Sequence, residues 1–165
     1  ALVLAACGGN SPDSAPEISV MEPWSRPSPM MAGNGAVYMM LMNKGGQADT
    51  LTSVSADIAE VVELHETKME GDVMKMAPVQ GGIEVPAGGS AELKPGGLHV
   101  MLINLKEELT PGQKIELTLN FENSNPIQVE AEVREMGAGM DEMDKMEHED
   151  DEENEGHDMD NMENE

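Results

Sequence analysis

The amino-acid sequence predicts an all-β fold, an antiparallel sandwich or barrel, on three observations. From Ile18 to Arg134 short apolar runs are punctuated by Gly, Pro and Asn, which is the texture of short strands joined by turns. No stretch sustains the apolar period of a helix. Two segments, Ile115-Glu116-Leu117-Thr118-Leu119-Asn120-Phe121 and Val129-Glu130-Ala131-Glu132-Val133, alternate between an apolar and a polar face, as strands do when one side meets a core and the other meets water.

Taken in order, the apolar runs place strands at 18–24, 35–43, 49–55, 61–67, 73–79, 90–93, 99–105, 114–122 and 127–134. The connections have turn chemistry. Asn43-Lys44-Gly45-Gly46, Gln80-Gly81-Gly82, Pro86-Ala87-Gly88-Gly89 and Lys94-Pro95-Gly96-Gly97 put Gly where a left-handed backbone is expected. The last of these leads into His99 and sets the strand that presents it.

Outside this region the composition changes. The chain of 165 residues carries a formal net charge of −24, and residues 135–165 hold 15 of the 33 acidic residues against one Lys. That tail is too charged and too poor in branched apolar residues to order itself by burial. At the other end, Leu4-Ala5-Ala6-Cys7-Gly8 follows an apolar run and reads as the cleavage and lipidation site of a bacterial lipoprotein. Residues 1–6 are then a remnant of the signal peptide. Residues 7–17 are the lipidated Cys7 and a Ser/Pro-rich tether, residues 18–134 the folded domain and residues 135–165 a disordered acidic tail. The lipid is the only expected membrane anchor, since no segment has the ~18 apolar residues of a span. With Cys7 as the single cysteine, no internal disulfide can form. An acidic chain without a basic stripe repels phosphate backbones, so nucleic acid is not an expected partner.

The chemistry concentrates between His65 and Met101. His65, Met76, His99 and Met101 offer two imidazoles and two thioethers, and in an extended strand His99 and Met101 leave the same face with Cα atoms roughly 6.6 to 6.8 Å apart. Thioether sulfur selects Cu(I) among biological metals, whereas zinc, magnesium and calcium favour thiolate, imidazole or oxygen. Taken singly, Met74, Met76 and Met101 read as core fillers and each His as a surface residue. His65 shares a strand face with Glu63 rather than Leu64, so it is expected to be accessible. The aromatic complement is only Trp24, Tyr38 and Phe121 against sixteen Met, which fits a Met-packed interior or metal handling. The tail adds a second donor set, His148 and His157 with Met136, Met140, Met143, Met146, Met159 and Met162, suited to Cu(I) through sulfur and to Cu(II) through imidazole and carboxylate.

The runs PWSRP, GNGAVYMMLMN, ADTLTSVS, AEVVELHE, VMKM, EVPAGGSAELKPGGLHVMLINL and LTLNF resemble the PCu(A)C family of periplasmic copper chaperones from about Ile18 to Val133. The resemblance implies a cupredoxin-like Greek-key β-sandwich or barrel that binds one Cu(I) through H-x10-M-x21-H-x-M. Ten residues separate His65 from Met76 and one separates His99 from Met101; between Met76 and His99 lie 22 rather than 21. The surplus residue is expected in the Gln80-Gly81-Gly82 turn, where an insertion leaves strand ends in place. The resemblance also implies a role in the cell envelope: delivery of copper to the Cu(A) centre in subunit II of cytochrome c oxidase, alongside a Sco-type protein.

Other chemistries are poorly supported. Blue-copper electron transfer and a Cu(A) centre need a Cys thiolate at the metal, and Cys7 lies at the lipidation motif. His65-Glu66-Thr67-Lys68-Met69 begins like the zinc-protease helix HExxH but has Met where the second His must stand. No EF-hand loop occurs in the tail. The chain is expected not to be an enzyme. A carrier delivering Cu(I), a sequestration or resistance lipoprotein buffering excess copper, and a metal-free structural or adhesive lipoprotein all remain open.

Overall fold

The computed structural model describes residues 14–71 and 73–135. They form ten strands: β1 (Ile18–Ser25), β2 (Asn34–Asn43), β3 (Asp49–Ser55), β4 (Ala59–Glu70), β5 (Val73–Pro78), β6 (Ile83–Val85), β7 (Ser90–Leu93), β8 (Leu98–Leu105), β9 (Lys114–Phe121) and β10 (Ile127–Val133). The nine expected strands are present. The tenth, β6, was not expected: its three residues are too few for alternation to stand out, although Ile83 and Val85 are buried around an exposed Glu84 and pair with β3. A 3-10 turn, Met30–Ala32, lies between β1 and β2.

The strands hydrogen-bond in the order β5-β4-β8-β2-β1-β10-β9-β3-β6, with β7 pairing the second half of β2. Neighbours distant in sequence give the Greek-key character. Strand β1 is the seam: it runs antiparallel to β2, and at Trp24 and Ser25 it also pairs parallel with Glu132 and Val133 of β10. This parallel pair departs from the all-antiparallel expectation. It is possible because β1 and β10 lie at opposite ends of the strand sequence, with ample chain between them for a crossover. Between Met21 and Trp24 the register of β1 shifts and Glu22 adopts a positive φ of 48°, the signature of a bulge that bends the strand.

The two sides of this seam share one core. Val37, Leu64, Val100 and Leu102 from the β4-β8-β2 side join Leu51, Leu117, Leu119 and Phe121 from the β9-β3 side in a single buried cluster. Burying these branched side chains is the main favourable term for folding. Strand β8 divides its faces sharply: Val100 and Leu102 are fully buried in the core, while His99 and Met101 point the other way.

Two buried polar residues close the ends of strands. Asn43, at the end of β2, accepts from the backbone N–H of Glu17 and of Gly45 and donates to the carbonyls of Gln47 and Val85. Asp49, at the start of β3, accepts from the backbone N–H groups of Thr50, Asn123 and Ser124 and from the Asn123 amide. Burial by itself would raise the Asp49 carboxyl, but these donors outweigh it and hold the group below the ordinary carboxylate range.

The glycines divide into two kinds. Gly96 takes the expected left-handed conformation, φ 77°, and lets the chain turn into β8. Gly45 does not have a positive φ; it is required by close approach, since a Cβ there would lie 2.2 Å from the Ala15 carbonyl oxygen. The segment leading into β1 packs directly on it.

Candidate metal centre

Strands β4 and β8 lie side by side and antiparallel, with Glu63 opposite Met101 and His65 opposite His99. Directly opposed residues share a face, so the register puts both histidines and Met101 on one side. Strand β5 continues the same face: Pro78 opposes His65 and Met76 opposes Thr67. On the other flank Ala36 of β2 opposes Met101, and Tyr38, two residues on, contacts the His99 ring with centroids 6.3 Å apart. The four residues singled out from the sequence thus come from three adjacent strands and share one sheet face.

The histidines are held in complementary ways. His99 is 3% exposed, and its Nδ1 lies 2.9 Å from the Gly97 carbonyl oxygen. A carbonyl can only accept, so Nδ1 carries the proton and, in the neutral ring, the lone pair is on Nε2. That Nε2 is buried without a hydrogen-bond partner among the described residues. His65 places Nε2 2.8 Å from Glu63 Oε2. The carboxylate accepts, so the lone pair of the neutral ring is on Nδ1, and this atom too is buried without a partner. The two ring centroids are 6.0 Å apart, edge to face.

Buried polar atoms are nearly always satisfied, and each exception calls for a reason. Here two imidazole nitrogens are orphaned on rings whose other nitrogen is anchored by an acceptor. An acceptor that fixes tautomer and ring orientation is the usual companion of a metal-binding histidine. The donor set, two neutral nitrogens with Met sulfurs beside them, fits a soft monovalent cation. Glu63 serves as the anchor of His65.

Met76, His99 and Met101 line one open cavity of about 500 Å³, together with Tyr38, Met74 and Arg26. His65 does not line it but lies next to His99. The His65 side chain is only 12% exposed, which corrects the expectation of an accessible residue. Alternation within β4 placed it off the core face, but could not show that β5 and β8 flank it. Arg26 is stacked 5.6 Å from the Tyr38 ring centroid. Burial pushes the Tyr38 hydroxyl up, with Arg26 pulling partly back, so the phenol stays neutral. The Trp24 ring lies against Tyr38 as well, centroids 4.8 Å apart and tilted.

Met74, which taken singly reads as a core filler, is a further sulfur donor on this face. It is 63% exposed, stands two positions before Met76 on the same face of β5, and lines the cavity; the spacing in VMKM was the available signal. Among the described residues no group of three or more His, Cys, Asp or Glu is placed to hold a metal ion, so the His/Met set stands without a harder rival there. The candidates Cys7, Met136, Met140, Met143, Met146, His148, His157, Met159 and Met162 lie outside the described residues.

The fold and this arrangement define the class: a cupredoxin-like β domain of the PCuAC type. The apo PCuAC domain from PmoF1 superposes with a TM-score of 0.62 at 23% identity, over 75% of this chain and 98% of that domain. A solution structure of Cu(I)-DR1885 from Deinococcus radiodurans gives a TM-score of 0.56 at 29% identity, over 74% of this chain and 80% of the other. The chain belongs to the LpqE-like family, described as "Putative lipoprotein LpqE-like", whose model matches residues 18–133. "Putative lipoprotein Lxx21020" of Leifsonia xyli subsp. xyli is 33% identical over 106 residues, 63% of this chain. The matches span just under two thirds of the length of the curated relatives, 64% and 61%.

Proposed function

We propose that this chain is a copper carrier of the cell envelope that holds one Cu(I) between His65, Met76, His99 and Met101 and delivers it to the Cu(A) centre of cytochrome c oxidase, in company with a Sco-type thiol protein. The observation that carries the copper reading is the pair of opposed histidines, each with one ring nitrogen anchored and the other buried without a partner. The relative whose solution structure is titled Cu(I)-DR1885, at 29% identity, supports the same metal and oxidation state. A donor set of two imidazoles and two thioethers is neutral, so the bound ion keeps its single positive charge and can be exchanged to a site with thiolate ligands, which bind Cu(I) more strongly.

Delivery and storage separate in one assay. The full chain, loaded anaerobically with Cu(I), is mixed with the apo copper-receiving domain of oxidase subunit II and a reduced Sco-type protein, and copper is measured after the proteins are resolved. Copper is expected on the receiving domain. Retention on the loaded chain would favour sequestration, the reading to which the six tail Met and two tail His contribute donors.

The lipoprotein family and the Cys7 motif together support anchoring by lipid on the periplasmic side. Replacing Cys7 by Ser is expected to move the protein from the membrane to the soluble envelope fraction. Continued membrane retention would overturn the anchor.

A further inference from the structure

The β4–β5 hairpin is exposed along its outer end, yet its two faces differ in chemistry. One carries Glu66, Lys68, Glu70 and Lys75, with Lys68 paired to Glu66 and Lys75 to Glu70. The other carries Met69, Met74 and Met76, which are 63%, 63% and 53% exposed. Met69 and Met74 are direct cross-strand partners, and Met76 follows one row down, opposite Thr67. Three thioethers on an exposed face contribute little to a core. A hairpin selected only for solubility would carry polar side chains on both faces.

The spacing suits a metal path. Cross-strand partners have Cβ atoms about 4.5 to 5.5 Å apart, within which two flexible Met side chains can bring their sulfurs to one ion. Met74 and Met76 share the cavity that Met101 and His99 also line, so the row is continuous from the hairpin's outer end to the four-donor site. We propose that Met69 and Met74 form a second, weaker Cu(I) site at the lip of the cavity, which takes up the ion and passes it inward through Met76. The inference rests on the copper reading of the four-donor site and adds its entrance. Two exposed thioethers without an imidazole hold Cu(I) less tightly than four donors do, which is what an entry site needs: it passes the ion inward while the inner site is vacant and stays occupied only once the inner site is full.

The test is an anaerobic Cu(I) titration of the full chain labelled with ¹³C at the Met methyl groups, followed by NMR, with the Met69 and Met74 signals assigned by substitution. The Met76 and Met101 signals are expected to move during the first equivalent, and those of Met69 and Met74 to move together during the second. In Met69→Leu, where an exposed side chain is exchanged for one of similar volume, the Met74 response is expected to be lost. Met69 and Met74 signals that stay fixed through two equivalents, or a Met74 response undiminished in Met69→Leu, would overturn the lip site. Failure of the four-donor reading is distinct: the Met76 and Met101 signals would then stay fixed, whatever Met69 and Met74 do.

Discussion

Replacing His99 by Ala is expected to abolish tight Cu(I) binding, lowering affinity by at least about 100-fold, since loss of a groups merely supporting a ligand already costs 10- to 100-fold. The reason lies in how the ring is held. Its Nδ1 is held by the Gly97 carbonyl, its Nε2 has no partner among the described residues, and the variant removes that donor outright. The ring is also the link between the cavity residues Met76 and Met101 and His65 behind it. The fold should survive: the site face is not the core face, and losing one neutral hydrogen bond costs about 0.5 to 1.5 kcal/mol, to which a partial cavity adds. Chelator competition under anaerobic conditions reads the affinity, and a thermal melt of the apo protein confirms folding. Wild-type affinity in a folded variant would remove His99 from the site.

Three residues along the same strand the opposite outcome is expected. Leu102 is fully buried in the cluster shared by both sides of the β1 seam. Leu102→Ala should destabilise the apo protein by about 2 to 5 kcal/mol, seen as a fall in melting temperature of roughly 10 °C or more. Cu(I) affinity measured where the variant is still folded should change only a few-fold, because Leu102 points away from His99 and Met101. Equal losses of stability and affinity in both variants would mean that β8 does not separate its two faces in this way.

Much of this was legible in the sequence because a strand's period of two is easy to read where one face is buried. The alternation in β9 and β10 and the turn residues before β8 located their elements closely. The ligand candidates were legible from donor chemistry and from the spacing that resembles the PCu(A)C motif. Between Met76 and His99, Gly81 and Gly82 take positive φ, a turn of the kind that can absorb an extra residue without moving the strand ends.

What escaped depends on neighbours that a local reading cannot see. Strand β6 is three residues long, and the parallel pairing of β1 with β10 joins segments more than a hundred positions apart. For His65 the alternation of its own strand gives only its face. Its actual shelter comes from β5 and β8 on either side. The anchors that orphan one nitrogen on each histidine, Glu63 and the Gly97 carbonyl, are each two residues from the ring they hold. That proximity is readable in sequence, but its meaning appears only when the rings face one another.

Copper K-edge X-ray absorption on the full chain carrying one equivalent of Cu(I) reads the ligands of the bound ion. Nitrogen and sulfur scatterers are expected around copper in equal number, from His65, His99, Met76 and Met101. A shell of sulfur alone, or of nitrogen and oxygen without sulfur, would contradict it.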